Sequence, residues 1–338
     1  MALGIGKTIV GLELDSGVAR AVELTGSVKA HKVTVVARGV LPEGAVEEGM
    51  VQQPEIVGEA LREMWSSSAL TGRSVLLGVS NQGVLVRHAV IPKVSPDKLK
   101  NVIRFHAPEY LPIPLDTVIL DYLVVGETVT DAGAALEVLF VAARRDMLAP
   151  FLEALAIARL EPLDIDVSTL ALVRILPQAV LERTLAVVNV ANGLTNILIS
   201  AKGQPRLARL VSVKIKELSD RLGSLPDEVP GDSAGATEAQ QNVLSAWFDN
   251  LSGEIRSSIN YYQNQEGSSE VEGIILNGRG AQLRGIAARL EDTLEMVVRT
   301  VDPFTIFSEA DQKITGSGLQ TVEYAISAGL ARRGLEGL

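Results

Sequence analysis

Hydrophobic and polar positions alternate along the first forty residues of this chain. Val10, Leu12 and Leu14 alternate with Gly11 and Glu13; after Asp15-Ser16-Gly17, the residues Ala19, Ala21 and Glu23 alternate with Arg20, Val22 and Leu24. A period of two broken by an Asp/Ser/Gly cluster predicts a β-hairpin, with strand continuing to Arg38. The period then changes. In PEIVGEALREMW, Ile56, Val57, Ala60, Leu61, Met64 and Trp65 fall on one helical face behind Pro54,. Strands at 74–80 and 83–92 follow, and then a helix carrying Leu99, Val102, Ile103 and His106 that Pro108 should stop. Two further strands (117–126 and 135–143), joined by ETVTDAGA, and a helix through Leu155 capped by Asp146 complete a compact unit over residues 74–159,.

The second half opens as the first does. LAVVNVANGLTNILIS, residues 185–200, reads as strand, Asn192-Gly193 turn, strand,. A helix with Leu244, Trp247, Phe248, Leu251, Ile255 and Ile259 on one stripe lies between two loop-like stretches, 226–241 and 263–269,. Strand 271–278, the turn Gly278-Arg279-Gly280, helix 281–290, strand 296–301 and helix 322–333 end the chain. Glu13 to Gly17 overlie Asn189 to Gly193 at one constant offset. A hairpin opening each half predicts two related α/β lobes facing a cleft. The first is 1–73 with 160–184 and the second is 185–338. Residues 74–159 are inserted into the first lobe, and 226–241 form a flexible loop.

Composition narrows the function classes. The chain has 338 residues, 47% hydrophobic and 21% charged, which suits a globular protein with a large core,. Aromatics make up only 4%, so that core must rest on aliphatic side chains. A net charge of −10 gives no broad positive field for nucleic acid or for an anionic membrane surface,. The absence of cysteine excludes disulfides and thiolate chemistry and suits a reducing compartment,. No apolar run approaches the roughly 18 residues of a membrane span, and the start lacks a signal-peptide pattern. The expectation is a cytoplasmic protein without direct membrane insertion. His31, His88 and His106 share no ligand spacing, so no metal is expected, and no catalytic constellation stands out. GIGKT at Gly4–Thr8 has the ending of a P-loop without its first glycine,. Asp164 and Asp166 are expected to cap the helix starting at Ser168.

Nearly the whole chain, from VGLELDSGVARAVEL to AISAGLARR, resembles the PilM family of type IV pilus assembly machines. The words that carry the resemblance include LPEGAVEEGMV, HAVIPKV, APEYLPIPLDTVILDYLVVG, VLFVAARRDM, LSGEIRSSINYY and GIILNGRGAQLRGIAARL. The resemblance implies an actin-like α/β fold of two lobes with an inserted α+β subdomain in the first. It implies a scaffold at the cytoplasmic side of the inner membrane. Such a scaffold binds the N-terminal tail of a PilN-like protein and couples the PilN–PilO complex to pilus motor components; homo-oligomerisation is left open. The rigid apolar segment Leu111, Ile113 and Leu115 between prolines is the candidate docking edge, in a groove between insertion and first lobe.

The same resemblance assigns the two hairpins to nucleotide phosphates, with an Asp-x-Gly pattern in each: the Asp for magnesium or water, the Gly for close backbone approach. ATP and magnesium are therefore the ligands the family suggests. This chain departs from the pattern. The family's first hairpin reads Asp-Ile-Gly-Ser-Ser-Ser-x-Lys, and here stand Glu13-Leu14-Asp15-Ser16-Gly17-Val18-Ala19-Arg20. Asp15 puts a negative charge where phosphates should lie, and two unit charges about 4 Å apart repel by roughly 4 kcal/mol near a protein surface. In the second hairpin the pattern becomes Asn189-Val190-Ala191, with Thr195 retained. Lys214-Ile215 stands where two glycines are expected, and only the adenosine-side turn, Gly278 to Gly280, survives. Arg20 and Lys214 are the cations available to offset Asp15. The expectation is a pseudo-ATPase needing no cofactor; the alternative is a working actin-like ATPase or kinase with atypical phosphate loops.

Overall fold

A computed structural model describes residues 7–27, 30–224, 237–307, 309–310 and 320–336. In the first lobe, β1 (Lys7–Asp15), β2 (Val18–Ser27) and β3 (Ala30–Val40) form an antiparallel meander. The short hairpin β4 (Val46–Glu47) and β5 (Met50–Val51) leads to α1 (Pro54–Ser67) and β6 (Ser74–Val79). The inserted unit has β7 (Val84–Pro92), α2 (Pro96–Tyr110), β8 (Val118–Thr130) and β9 (Gly133–Arg144). The chain returns through α3 (Arg145–Ile157), β10 (Glu161–Val167) and α4 (Ser168–Ala171).

The second lobe repeats the plan. Its elements are β11 (Thr184–Val190), β12 (Thr195–Ala201), β13 (Gln204–Val211), α5 (Ile215–Leu222), α6 (Glu238–Gln263), β14 (Gly273–Asn277), α7 (Ile286–Leu294) and β15 (Val298–Thr300). Strand β16 (Glu309–Ala310) and helix α8 (Ala325–Glu336) close the chain. The sheet orders are β10-β6-β1-β2-β3-β16 and β13-β12-β11-β14-β15. In each lobe a three-strand meander is followed by two strands added in parallel, so the two halves share one topology.

The lobe boundaries differ from the expected ones. Ser74–Val79 pairs in parallel with β1 and belongs to the main sheet, because its side chains are buried on both faces. Helix α3 packs on α1. The insertion is thus residues 84–144, a three-stranded sheet β7-β9-β8 with α2 on one face. The final helix also crosses back: α8 lies on β1, β2 and β6 of the first lobe, and β16 extends that lobe's sheet beside β3. Its small residues explain the crossing. A Cβ on Gly11 of β1 would stand 2.0 Å from the carbonyl oxygen of Ser327, so strand and helix approach more closely than side chains permit,.

Several local expectations are also corrected. Helix α2 runs past Pro108 to Tyr110, because that proline falls in the last turn and Leu111 still donates to the Ala107 carbonyl. The predicted connector ETVTDAGA is the end of the β8–β9 hairpin itself. Arg144, not Asp146, precedes α3. Asp164 and Asp166 do not cap α4; from β10 they pair with Arg333, and Asp166 also with Arg174. Ile56 is exposed on α1. Most of the 226–241 loop lies outside the described residues, but its end is helix: Thr237 and Gln240 form a capping box opening α6,.

Candidate functional site

The two hairpin turns meet across the cleft, and Asp15 joins them. Its Oδ1 accepts the backbone N–H of Ser16 and of Gly193, both at 2.8 Å. Its Oδ2 accepts the N–H of Asn192 at 2.9 Å and Arg20 Nη1 at 3.2 Å. Four donors thus fill the four acceptor positions of a carboxylate, and hydrogen bonds to a charged group contribute about 1.5–3 kcal/mol each. The Asn192 side-chain amide donates back to the Ser16 carbonyl at 2.9 Å, and its Oδ1 accepts Arg279 Nη1 at 3.2 Å. A Cβ on Gly193 would meet Ser16 Oγ at 2.4 Å, so no layer of other atoms separates the turns.

Arg20 neutralises this centre. It is 1% exposed and donates from Nε to Glu323, which the chain brings back just before α8. Burial opposes its charge, but Glu13, Asp15 and Glu323 hold it protonated. Glu13 behaves differently. Arg20 Nη1 stands 3.8 Å away, close enough to attract, yet Glu13 Oε2 receives no hydrogen bond among the described residues. Desolvation outweighs that attraction, aided by the charges of Asp15 and Glu323, and pushes the Glu13 carboxyl up to about 8,. Lys214 does not help Asp15. It pairs with Glu48 at the cleft mouth, and Lys216 pairs with Glu43.

The other expected site residues hold structure. Thr195 donates its hydroxyl to the Val213 carbonyl at 2.7 Å. Asn189 is buried in a row with Asn196 and Asn277 across β12, β11 and β14. Asn196 accepts the hydroxyls of Ser80 and Thr169, both at 2.6 Å, joining the lobes. Asn189 Oδ1 and both amide atoms of Asn277 find no partner among the described residues. Gly278 (φ +82°) and Gly280 press against Val190: added Cβ atoms would lie 2.6 Å from its carbonyl oxygen and from its Cγ1. Lys7 of GIGKT donates to the Gly334 carbonyl. Among the described residues no three metal-ligating side chains gather.

Magnesium and the phosphates of a nucleotide do not fit this arrangement. Asp15 takes the hairpin amides. The first amides of α5, which could face a phosphate, donate instead to the carbonyls of Ala191 and Asn192. The space beside Glu13, Asp15, Ser168 and Asn196 is about 20 Å³, room for about one water,. At the cleft mouth a cavity of about 620 Å³ is large enough for a nucleoside,. Its walls, however, carry Glu43, Glu47, Glu48, Glu217 and Asp220 against Lys214 and Lys216.

Sequence reasoning missed Glu323, Arg279 and the bond from Asp15 to the second turn. These pairings span between 87 and 303 positions, and only the fold brings them together. The candidate docking residues lie in the insertion, away from the hairpins. Leu111 is 2% exposed and belongs to the insertion's own core, with Ile113 and Leu115 packed against it. Leu111 is therefore not a docking contact. The large apolar side chains that the insertion exposes on its edge strands are Val90 of β7 and Ile119, Leu123, Val124 and Val129 of β8, of which Ile119 and Leu123 share one face with Asp121.

The family model for the type IV pilus assembly protein PilM matches residues 11–335. A solved PilM–PilN type IV pilus biogenesis complex is similar at 25% identity, over 97% of this chain and 98% of that chain, with a TM-score of 0.81. Ethanolamine utilization protein EutJ from Carboxydothermus hydrogenoformans is 13% identical over 96% of this chain and 89% of that one, with a TM-score of 0.52. A nucleotide-free diol dehydratase-reactivating factor is 9% identical over 98% and 100%, with a TM-score of 0.53. The last two likenesses bear on the fold alone, which is actin-like. With the family's model spanning nearly all of it, the chain belongs to the type IV pilus assembly PilM family.

Proposed function

We propose that this chain is a scaffold of a type IV pilus assembly machine, that it does not turn over ATP, and that its work is to bind the N-terminal tail of a PilN-like membrane protein. The observation that carries the reading is Asp15. Its carboxylate accepts hydrogen bonds from both hairpin turns at 2.8–2.9 Å and so stands where a nucleotide's phosphates would be needed. The similarity to a solved PilM–PilN complex supports the choice of partner. Through that partner the chain is held at the inner membrane and couples a PilN–PilO complex to motor components.

The exposed edge of the insertion's sheet suits an extended peptide. Strand β8 is an edge of its sheet, and on one face of it the exposed Ile119 and Leu123 flank Asp121. Asp121 lies near enough to Arg333 of α8 to favour that residue's charge. A peptide adding along β8 gains backbone hydrogen bonds for register and apolar contacts for affinity. Among the described residues no helix is long and apolar enough to cross a membrane, so attachment through a partner is the economical route.

Calorimetric titration of a synthetic PilN-like tail tests the reading, with Leu123→Asp as the edge variant and Mg-ATP melts alongside. Saturable binding that Leu123→Asp weakens at least tenfold, and a melting temperature unmoved by millimolar Mg-ATP, are expected. No binding by folded protein would refute the scaffold. A nucleotide stabilisation near the roughly 2.7 kcal/mol given by ligand at 100 times its Kd would refute the pseudo-ATPase.

A further inference from the structure

In nucleotide-dependent two-lobe proteins the ligand bridges the lobes. Here the bridge is part of the chain. The backbone N–H groups of Ser16, Asn192 and Gly193 converge on one point from two lobes, and Arg20 adds a cation from behind. Converging amides with a guanidinium constitute an oxyanion site by their chemistry alone. The carboxylate in it belongs to Asp15, at the end of β1.

We propose that Asp15 is a built-in ligand: its carboxylate occupies an oxyanion site shared by the two hairpins and thereby keeps the lobes closed without a bound nucleotide. The inference rests on the reading that nucleotide does not govern the cleft, and it goes beyond that reading by assigning the closure itself to one side chain.

A second set of observations shows why a latch is needed. Closure buries Glu13 Oε2, Arg20 Nη2, Asn189 Oδ1 and both amide atoms of Asn277 without hydrogen-bonding partners among the described residues. Each buried, unsatisfied polar group opposes the closed state, because opening returns it to water. The ion pairs at the cleft mouth, Lys214 with Glu48 and Lys216 with Glu43, are solvent-exposed and hold little,. The Ser80 and Thr169 bonds to Asn196 lie deeper but are neutral. An apolar cluster, with Leu172 and Ile175 of the first lobe beside Val187 and Leu198 of the second, lies beneath the cleft, and Asp15 supplies the charge-assisted contacts between the two hairpin turns above it, so closure of the turns depends on Asp15. The consequence extends to the insertion. Glu137 of β9 is ion-paired with Arg206 of β13 in the second lobe, so a change in lobe closure moves one wall of any groove between insertion and first lobe.

If Asp15 substitutes for an external oxyanion, then removing it should restore a site for one. The test uses full-length protein with spin-labelled cysteines at Glu55 on α1 and Asp249 on α6, both exposed, in a chain that has no cysteine of its own. Electron–electron distance measurement reads lobe separation, and thermal melts read stability. The wild-type background should give one narrow distance that neither inorganic phosphate nor Mg-ATP changes. Asp15→Ala should broaden the distribution towards longer distances and lower the melting temperature. Millimolar inorganic phosphate, or sulfate as a second tetrahedral oxyanion, should reverse both, while chloride at equal ionic strength should not. Phosphate should bind Asp15→Ala at least tenfold more tightly than wild type.

Asp15→Asn separates charge from volume. The amide fills the cradle but turns a donor towards donors, so lobes should open and phosphate should not close them. A broad distance distribution in wild type overturns the proposal, and so does an Asp15→Ala protein that stays closed in chloride or binds phosphate no better than wild type. If Asp15→Ala does not fold, the wild-type distances and Asp15→Asn decide the matter: a closed Asp15→Asn protein overturns it. None of these readouts involves the pilus partner, so the latch can fail while partner binding stands.

Discussion

Glu13 should make stability fall as pH rises through neutrality, and Glu13→Gln should remove that fall. The folded protein holds the Glu13 proton up to about pH 8, against an ordinary value of 4.5 in the unfolded chain, because the carboxyl is buried and the nearby Arg20 cation is shared with Asp15 and Glu323. A raised pKa means that the folded state binds the proton more tightly. The stabilisation is therefore fully present below pH 4.5, shrinks between 4.5 and 8, and is gone above 8. The slope is about 1.4 kcal/mol per pH unit and the total is of order 5 kcal/mol. Domains of this kind have only about 5–15 kcal/mol in all, so one carboxyl weighs heavily. Gln has the shape of the protonated acid and no titration. Urea unfolding of both proteins from pH 5 to 9 gives the difference in stability and cancels groups common to both. The variant should gain on wild type by about 1.4 kcal/mol per unit up to pH 8 and then run parallel. A difference that is flat across this range would refute the reasoning, since Glu13 would then be ionised in the folded protein at neutral pH.

Two further substitutions follow from buried contacts. Glu23 accepts the N–H groups of Thr71 and Gly72 at 2.8 and 2.7 Å and the hydroxyls of Thr71 and Thr34. Glu23→Ala should cost about 2–5 kcal/mol in chemical denaturation by leaving those donors unpaired, and Glu23→Gln should recover part of it; an Ala variant within 0.5 kcal/mol or so of wild type would show that water replaces the carboxylate. Gly278→Ala would force a side chain to φ +82° and to within 2.6 Å of the Val190 carbonyl oxygen. It should lower the melting temperature by a loss of about 2–4 kcal/mol, and an unchanged melt would mean that the turn can move away from β11 at no cost.

The fold was legible where periodicity reports burial directly. The alternation of Val10, Leu12 and Leu14, the stripe from Leu244 to Ile259, and the repeat of one hairpin in both halves all correspond to what the chain builds. The boundaries were less legible, because a strand reads alike in any sheet it joins. Ser74–Val79 has the apolar run of a fully buried strand, which periodicity cannot assign to the insertion or to the main sheet,. Helix α8 looked like the natural end of the second lobe. Its destination depends on Gly11 accepting Ser327 at a distance that no side chain would allow, a match between residues more than 300 positions apart. Leu111 was misread for a related reason. Prolines on either side suggested a stiff exposed edge, yet with α2 continuing to Tyr110 its side chain turns into the insertion's core.

Asp15 is the residue where sequence and structure differ most usefully. In the sequence its charge is an obstruction, because the neighbour assumed for it is a phosphate, and like charges repel. In the folded chain its neighbours are three backbone amides and Arg20, and the same charge becomes a link between the two hairpin turns. The sign of an electrostatic contribution is a property of the pair, and only half of this pair can be read from the hairpin. One signal was local: Arg20 lies opposite Glu13 on the next strand and faces the same centre. The Asp15 carboxylate beside the Arg20 guanidinium already describes an ion pair that needs no external anion. The opposing turn, with Asn192-Gly193 offering two adjacent amides, supplies the remaining donors. On the proposed reading, the carboxylate that keeps a phosphate out of the two turns is also the group that joins them.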